Sequence, residues 1–118
     1  MPLNVANTTI ITAKTAYANV TTVSANVLSN AASSNTIYKI NNISLTNYTG
    51  TLVSANVSVA RSGVGTFYLI NTINVPANSL LNLMGKDTSI YLEEGDTIQT
   101  NASANSSVHL AIGYELLS

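Results

Sequence analysis

Apolar and polar residues alternate with a period of two along much of this chain, the signature of strands with one face buried. Val53, Ala55, Val57 and Val59 alternate with Ser54, Asn56 and Ser58, and Val108, Leu110, Ile112 and Tyr114 alternate with His109, Ala111 and Gly113. In Thr36–Leu45 the alternation is partial and changes phase at Asn41-Asn42, which predicts a bulge. Phe67-Tyr68-Leu69-Ile70 is apolar or aromatic at every position and reads as a strand buried on both faces. Helix signals are weak, because β-branched residues and asparagine dominate and both are poor in helix interiors.

Turn chemistry separates the runs. Asn47-Tyr48-Thr49-Gly50, Arg61-Ser62-Gly63-Val64-Gly65, Met84-Gly85-Lys86-Asp87 and Glu93-Glu94-Gly95-Asp96 each set glycine beside polar residues. Val75-Pro76-Ala77-Asn78 adds a proline that cannot donate to a central ladder. The predicted strands are 8–16, 18–28, 36–46, 52–61, 66–75, 79–84 continued by 88–92, 97–103 and 107–117. The expected fold is therefore all-β: a single antiparallel β-sandwich, jelly-roll-like, of about eight strands. Residues 8–118 form the domain, and the uncharged residues 1–7 are free to act as an N-terminal arm. The echo of Val23-Ser24-Ala25-Asn26-Val27 in Val53-Ser54-Ala55-Asn56-Val57 falls short of the three units that a repeat architecture needs.

Composition narrows the function classes. The chain has 118 residues, no cysteine and a formal charge of −1. Charged residues make up 8%, against roughly a quarter in ordinary domains, and Asn, Thr and Ser supply the polarity instead. Neither a disulfide framework nor a thiolate metal site is available. No field draws nucleic acid or an anionic membrane to such a surface. Near-zero net charge also gives little repulsion between copies, which suits a subunit packed into an array. No run reaches the roughly 18 apolar residues of a membrane helix. The start lacks the pattern of a secretory signal, so synthesis and assembly in a cytoplasm are expected.

Candidate chemistry is sparse. His109 is the only histidine and lies out of phase with Val108 and Leu110, with no marked acidic or serine partner, so it reads as a surface or interface residue. Glu93, Glu94 and Asp96, with Asp87 nearby, form the one acidic cluster. The cluster lacks the alternating ligands of a calcium loop, and adjacent carboxylates in a strand-end turn diverge too far for glycosidase chemistry. It reads as a charged turn that solvates a strand end. The Asn-X-Ser/Thr sequons, beginning at Asn7, Asn19, Asn42, Asn47, Asn56, Asn101 and Asn105, follow from the composition. The six tyrosines are contact anchors if exposed, but most are expected at strand edges in the core. No catalytic residue, cofactor site or metal site is predicted.

The C-terminal half carries a recognisable set of segments: Ile73-Asn74-Val75-Pro76-Ala77-Asn78-Ser79-Leu80, Ser89-Ile90-Tyr91-Leu92-Glu93-Glu94-Gly95-Asp96, Thr100-Asn101-Ala102-Ser103-Ala104-Asn105 and Tyr114-Glu115. With Val20–Asn26 and Tyr38–Asn41 upstream, they resemble small virion structural proteins of tailed bacteriophages, marine and cyanobacterial phages especially. Gly113 departs from the serine expected before Tyr114. In this pattern Pro76 sets the approach to an apolar strand and Gly95 permits the reversal after Leu92. The resemblance implies a capsid decoration (cement) protein or an accessory neck or tail protein and does not decide between them. Small size, the β-only pattern, low charge and the uncharged residues 1–7 put decoration first, as a homotrimer or homodimer bound to the major capsid protein or other virion proteins. A neck, tail or fibre-associated accessory protein and a carbohydrate-binding adhesion module are the alternatives.

Overall fold

β-branched and alternating segments pair into nine strands in the computed structural model, which describes residues 10–84 and 90–118. They are β1 (Ile11–Val20), β2 (Ala25–Ser29), β3 (Ile37–Asn47), β4 (Val53–Arg61), β5 (Gly65–Val75), β6 (Ser79–Met84), β7 (Ile90–Leu92), β8 (Asp96–Ala102) and β9 (Val108–Leu117). The expected arm, residues 1–7, and the Gly85–Asp87 part of a predicted turn lie outside the described residues.

Every pairing is antiparallel. One sheet runs β1-β9-β3-β6, with β7 pairing the other end of β3, and the second runs β2-β8-β4-β5. Successive strands cross from one sheet to the other except within the β4–β5 hairpin and from β6 to β7. With β6 and β7 taken as one interrupted strand, this is the four-on-four connectivity of a jelly roll. The ninth strand thus comes from division of the expected 79–92 strand.

The core forms where the alternating faces meet. Ile40, Ile43, Leu45, Val108, Leu110 and Ile112 of the first sheet pack with Val53, Ala55, Val57 and Ile98 of the second. The phase change in β3 is a real irregularity: the β3–β9 register shifts between Ile40 and Asn42, which returns Ile43 and Leu45 to the buried face. Gly95 turns the chain between β7 and β8 at φ +88°, and an added Cβ would lie 3.3 Å from the Ser62 Cβ.

Two expectations about strands are corrected. Phe67 and Tyr68 are not buried on both faces but are 55% and 62% exposed. β5 is the outermost strand of its sheet, and its first residues, Gly65–Tyr68, are exposed. The expected 8–16 and 18–28 strands are instead Ile11–Val20 and Ala25–Ser29, because the chain turns at 21–24 rather than at 17. Thr21 marks that turn by donating its hydroxyl to the Val23 carbonyl at 2.9 Å.

Candidate interaction surfaces

The acidic cluster is built into the fold. Asp96, expected at a solvated turn, is 1% exposed because the β7–β8 turn folds its carboxylate inward beneath Arg61. Arg61 ends β4 directly opposite Asp96 in the β4–β8 register. Its Nε and Nη2 donate to the two Asp96 oxygens at 2.8 and 2.9 Å, and Nη2 also donates to Glu93 at 3.0 Å. The Glu93 amide donates to Asp96 at 2.9 Å, closing the turn. Burial alone would raise the Asp96 pKa, but the hydrogen bonds from Arg61 and Glu93, with the Arg61 charge, hold it below its usual value. Arg61 is correspondingly driven further toward its charged form, chiefly by its hydrogen bonds to Asp96. Glu94 accepts from the Asn35 amide at 3.1 Å. Each of these three carboxylates therefore joins chain segments, and among the described residues no group of three or more metal-ligating side chains occurs.

Two buried asparagines fasten the loops in the same manner. Asn30 Nδ2 donates to the carbonyls of Thr36 and Leu92, while its Oδ1 accepts from the hydroxyls of Ser34 and Thr36. Asn47 Nδ2 donates to Thr51 and Val75 carbonyls, and its Oδ1 accepts from the amide and hydroxyl of Thr49. Sequence reasoning placed Asn47 in a turn but missed its burial. Asparagine two residues before threonine was the available signal, since it allows the side chain to mimic a backbone turn.

His109 projects from the outer face of β9, opposite to Val108 and Leu110, as its phase required. In register it lies between Asn19 of β1 and Thr46 of β3. Its ring stacks on Tyr48 with centroids 4.4 Å apart and a 32° tilt. Beside it lies a groove of about 470 Å³ lined by Tyr17, Asn19, Thr46, His109 and Ala111, among others. No Asp, Glu, Lys or Arg side chain lines it.

The tyrosines divide against expectation. Tyr38 and Tyr114 pack together at 5.2 Å, and burial with the Tyr38 neighbour raises the Tyr114 pKa. Tyr17, Tyr48, Tyr68 and Tyr91 are exposed, Tyr17 at 78%. Tyr17, Tyr68 and Tyr91 stand on the outer strands β1, β5 and β7, and Tyr48 lies beside His109. Val64, Phe67 and Tyr68 make the hairpin tip between β4 and β5 apolar, and Ile10 and Ile11 do the same at the start of β1. The outer face of the second sheet is neutral and polar instead. There Gln99 donates to Asn26, and Asn56 donates to Asn101.

No protein-family model matches the chain, and no curated protein sequence matches it. Among solved structures, a chain from work titled "Bacillus endospore appendages form a novel family of disulfide-linked pili" is similar in fold. The TM-score is 0.57 at 16% sequence identity, covering 92% of this chain and 87% of that one. The 118 residues here contain no cysteine and so hold no disulfide link of any kind.

Proposed function

We propose that this chain is a structural, non-catalytic subunit of a bacteriophage particle, acting as a capsid decoration protein that stabilises the shell through protein–protein contacts. The observation that carries this reading is where the polar chemistry goes. The carboxylates at 93, 94 and 96 and the buried asparagines at 30 and 47 are all consumed in holding the sandwich together. What remains outside is a weakly charged surface bearing exposed tyrosines, a phenylalanine and aliphatic residues, which is contact chemistry. The likeness to a chain from a pilus supports a structural role on this fold, and the segments around Val75–Asp96 supply the phage element of the reading. Quantitative mass spectrometry of purified particles tests it. A copy number in proportion to the major capsid protein is expected, whereas about a dozen copies or fewer assigns the chain to the neck or tail.

The groove beside Tyr17 favours a second reading, a carbohydrate-binding adhesion module. An aromatic face next to the polar side chains of Asn19, Thr46 and His109 suits a saccharide, and the volume lies within the range of small-molecule sites. Glycan binding lost on Tyr17→Ala supports that reading, and a blank glycan screen with purified protein removes it.

A further inference from the structure

Sheet edges are the places where β proteins meet other chains, and native folds usually disarm them by shortness, bulges, proline or charge. In this chain the edges differ sharply. β7 has three residues, β2 has five with a register shift, and both β5 and β6 pair through register shifts. β1 has ten residues, pairs with β9 without one irregularity, contains no proline and carries a single charge, Lys14. It alone among the described edges is long, regular and nearly unguarded.

Hydrogen-bond parity shows what β1 offers. Ile10 and Ser118 exchange both backbone bonds at 2.9 Å, continuing the β1–β9 ladder by one pair. In an antiparallel ladder such pairs recur at every second residue, so the even-numbered residues of β1 are those bonded to β9. The N–H and C=O groups of Ile11, Ala13, Thr15, Tyr17 and Asn19 therefore point away from the sheet. All five residues are exposed.

We propose that β1 is a self-association edge, pairing antiparallel with β1 of a second copy across a two-fold axis at Thr15; this rests on the structural-subunit reading and names one of its partners. Self-complementarity selects the occupant. The register that engages all five outward residues is centred on Thr15, placing Thr15 opposite Thr15, Ala13 opposite Tyr17 and Ile11 opposite Asn19 of the second copy. That register makes about ten hydrogen bonds, with outward groups from each copy filling those of the other. It also sets Lys14 opposite Ala16 rather than opposite the second Lys14, and it lays each Tyr17 ring across a small Ala13. An isologous contact of this kind closes as a dimer and cannot extend into a fibre by itself.

Parity supplies a discriminating test. Thr15→Pro deletes an outward donor at the two-fold while leaving every β9 bond of β1 in place; Thr15→Ala keeps the donor. In sedimentation equilibrium from micromolar to millimolar, wild type and Thr15→Ala should reach twice the 12.3 kDa chain mass, and Thr15→Pro should stay at it. Paired residues in this geometry have Cα atoms about 5.5 Å apart, within disulfide range. Thr15→Cys should therefore oxidise to a covalent dimer, while Asn19→Cys, which faces Ile11, should not. Should Thr15→Pro fail to fold, amide exchange of the wild type decides, with Ile11, Ala13, Tyr17 and Asn19 protected only in the associated state. A wild type monomeric at millimolar concentration overturns the proposal, as does an associated state in which these amides exchange freely. A chain abundant in particles but unpaired at β1 sinks this inference alone; a β1 dimer absent from particles sinks the structural reading instead.

Discussion

Arg61→Met isolates the clasp that joins β4, β7 and β8. Methionine keeps an apolar stem but removes three charge-assisted hydrogen bonds, at 2.8 and 2.9 Å to Asp96 and 3.0 Å to Glu93. Removing one partner of a buried ion pair costs about 3–5 kcal/mol. Arg61 is 43% exposed, so solvent screens part of the attraction, and the Glu93 arm, itself exposed, adds about 0.5 kcal/mol at most. We therefore expect a loss of about 2–3 kcal/mol at neutral pH, measured by urea unfolding with an unchanged m-value. The pH dependence carries the sign. The folded pKa of Asp96 is lowered from 3.8, so its contribution is present in full above that value and is lost as pH falls through the folded pKa. In the variant, burial without the cation raises the Asp96 pKa, and protonation then relieves the unpaired charge. The gap between the two proteins should thus close as pH falls through the folded pKa of Asp96. A gap below about 0.5 kcal/mol at neutral pH, or one equally large in acid, would refute the assignment of Asp96 to a stabilising buried pair.

Three further outcomes follow from local geometry. Asn47→Ala strands the Thr51 and Val75 carbonyls and the Thr49 amide, and should cost about 3 kcal/mol in urea unfolding; Asn47→Asp should be no better, since a carboxylate faces two carbonyl oxygens. Gly95→Ala combines a positive φ with a close approach to Ser62 and should cost about 2 kcal/mol, read by the same method. Thr72 is a β-branched residue at φ +56°, its amide held by the Asn56 side chain, so Thr72→Gly should raise stability by about 1 kcal/mol and shift the thermal midpoint upward.

How much of this was legible in the sequence depended on the kind of signal. Alternation in Val53–Val57 and Val108–Ile112 reported correctly which side chains are buried, though Ser58 is buried against the pattern, and the phase break at Asn41-Asn42 reported a register shift. Gly95 announced its turn because only glycine tolerates that backbone cheaply. Periodicity does not reveal whether a core lies beneath a strand. Phe67 and Tyr68 look as apolar as any central strand, yet the outer position of β5 leaves them in water. The Arg61–Asp96 pair joins residues 35 apart in sequence, and no local pattern encodes it. One signal was available: with so few charges, the sole arginine and three of five acidic residues fall in two turns that the topology brings together. The open edge of β1 was invisible for a related reason, since strand order is a property of the whole sheet.

On the proposal above, this jelly roll serves as a structural subunit of a particle. A cryo-electron microscopy map of the purified phage tests it most directly. Density for the two-sheet sandwich is expected on the outside of the capsid lattice, repeated with its symmetry, with the tyrosine-bearing surfaces or the β1 edge in contact. Particles with no such density on capsid, neck or tail would contradict it.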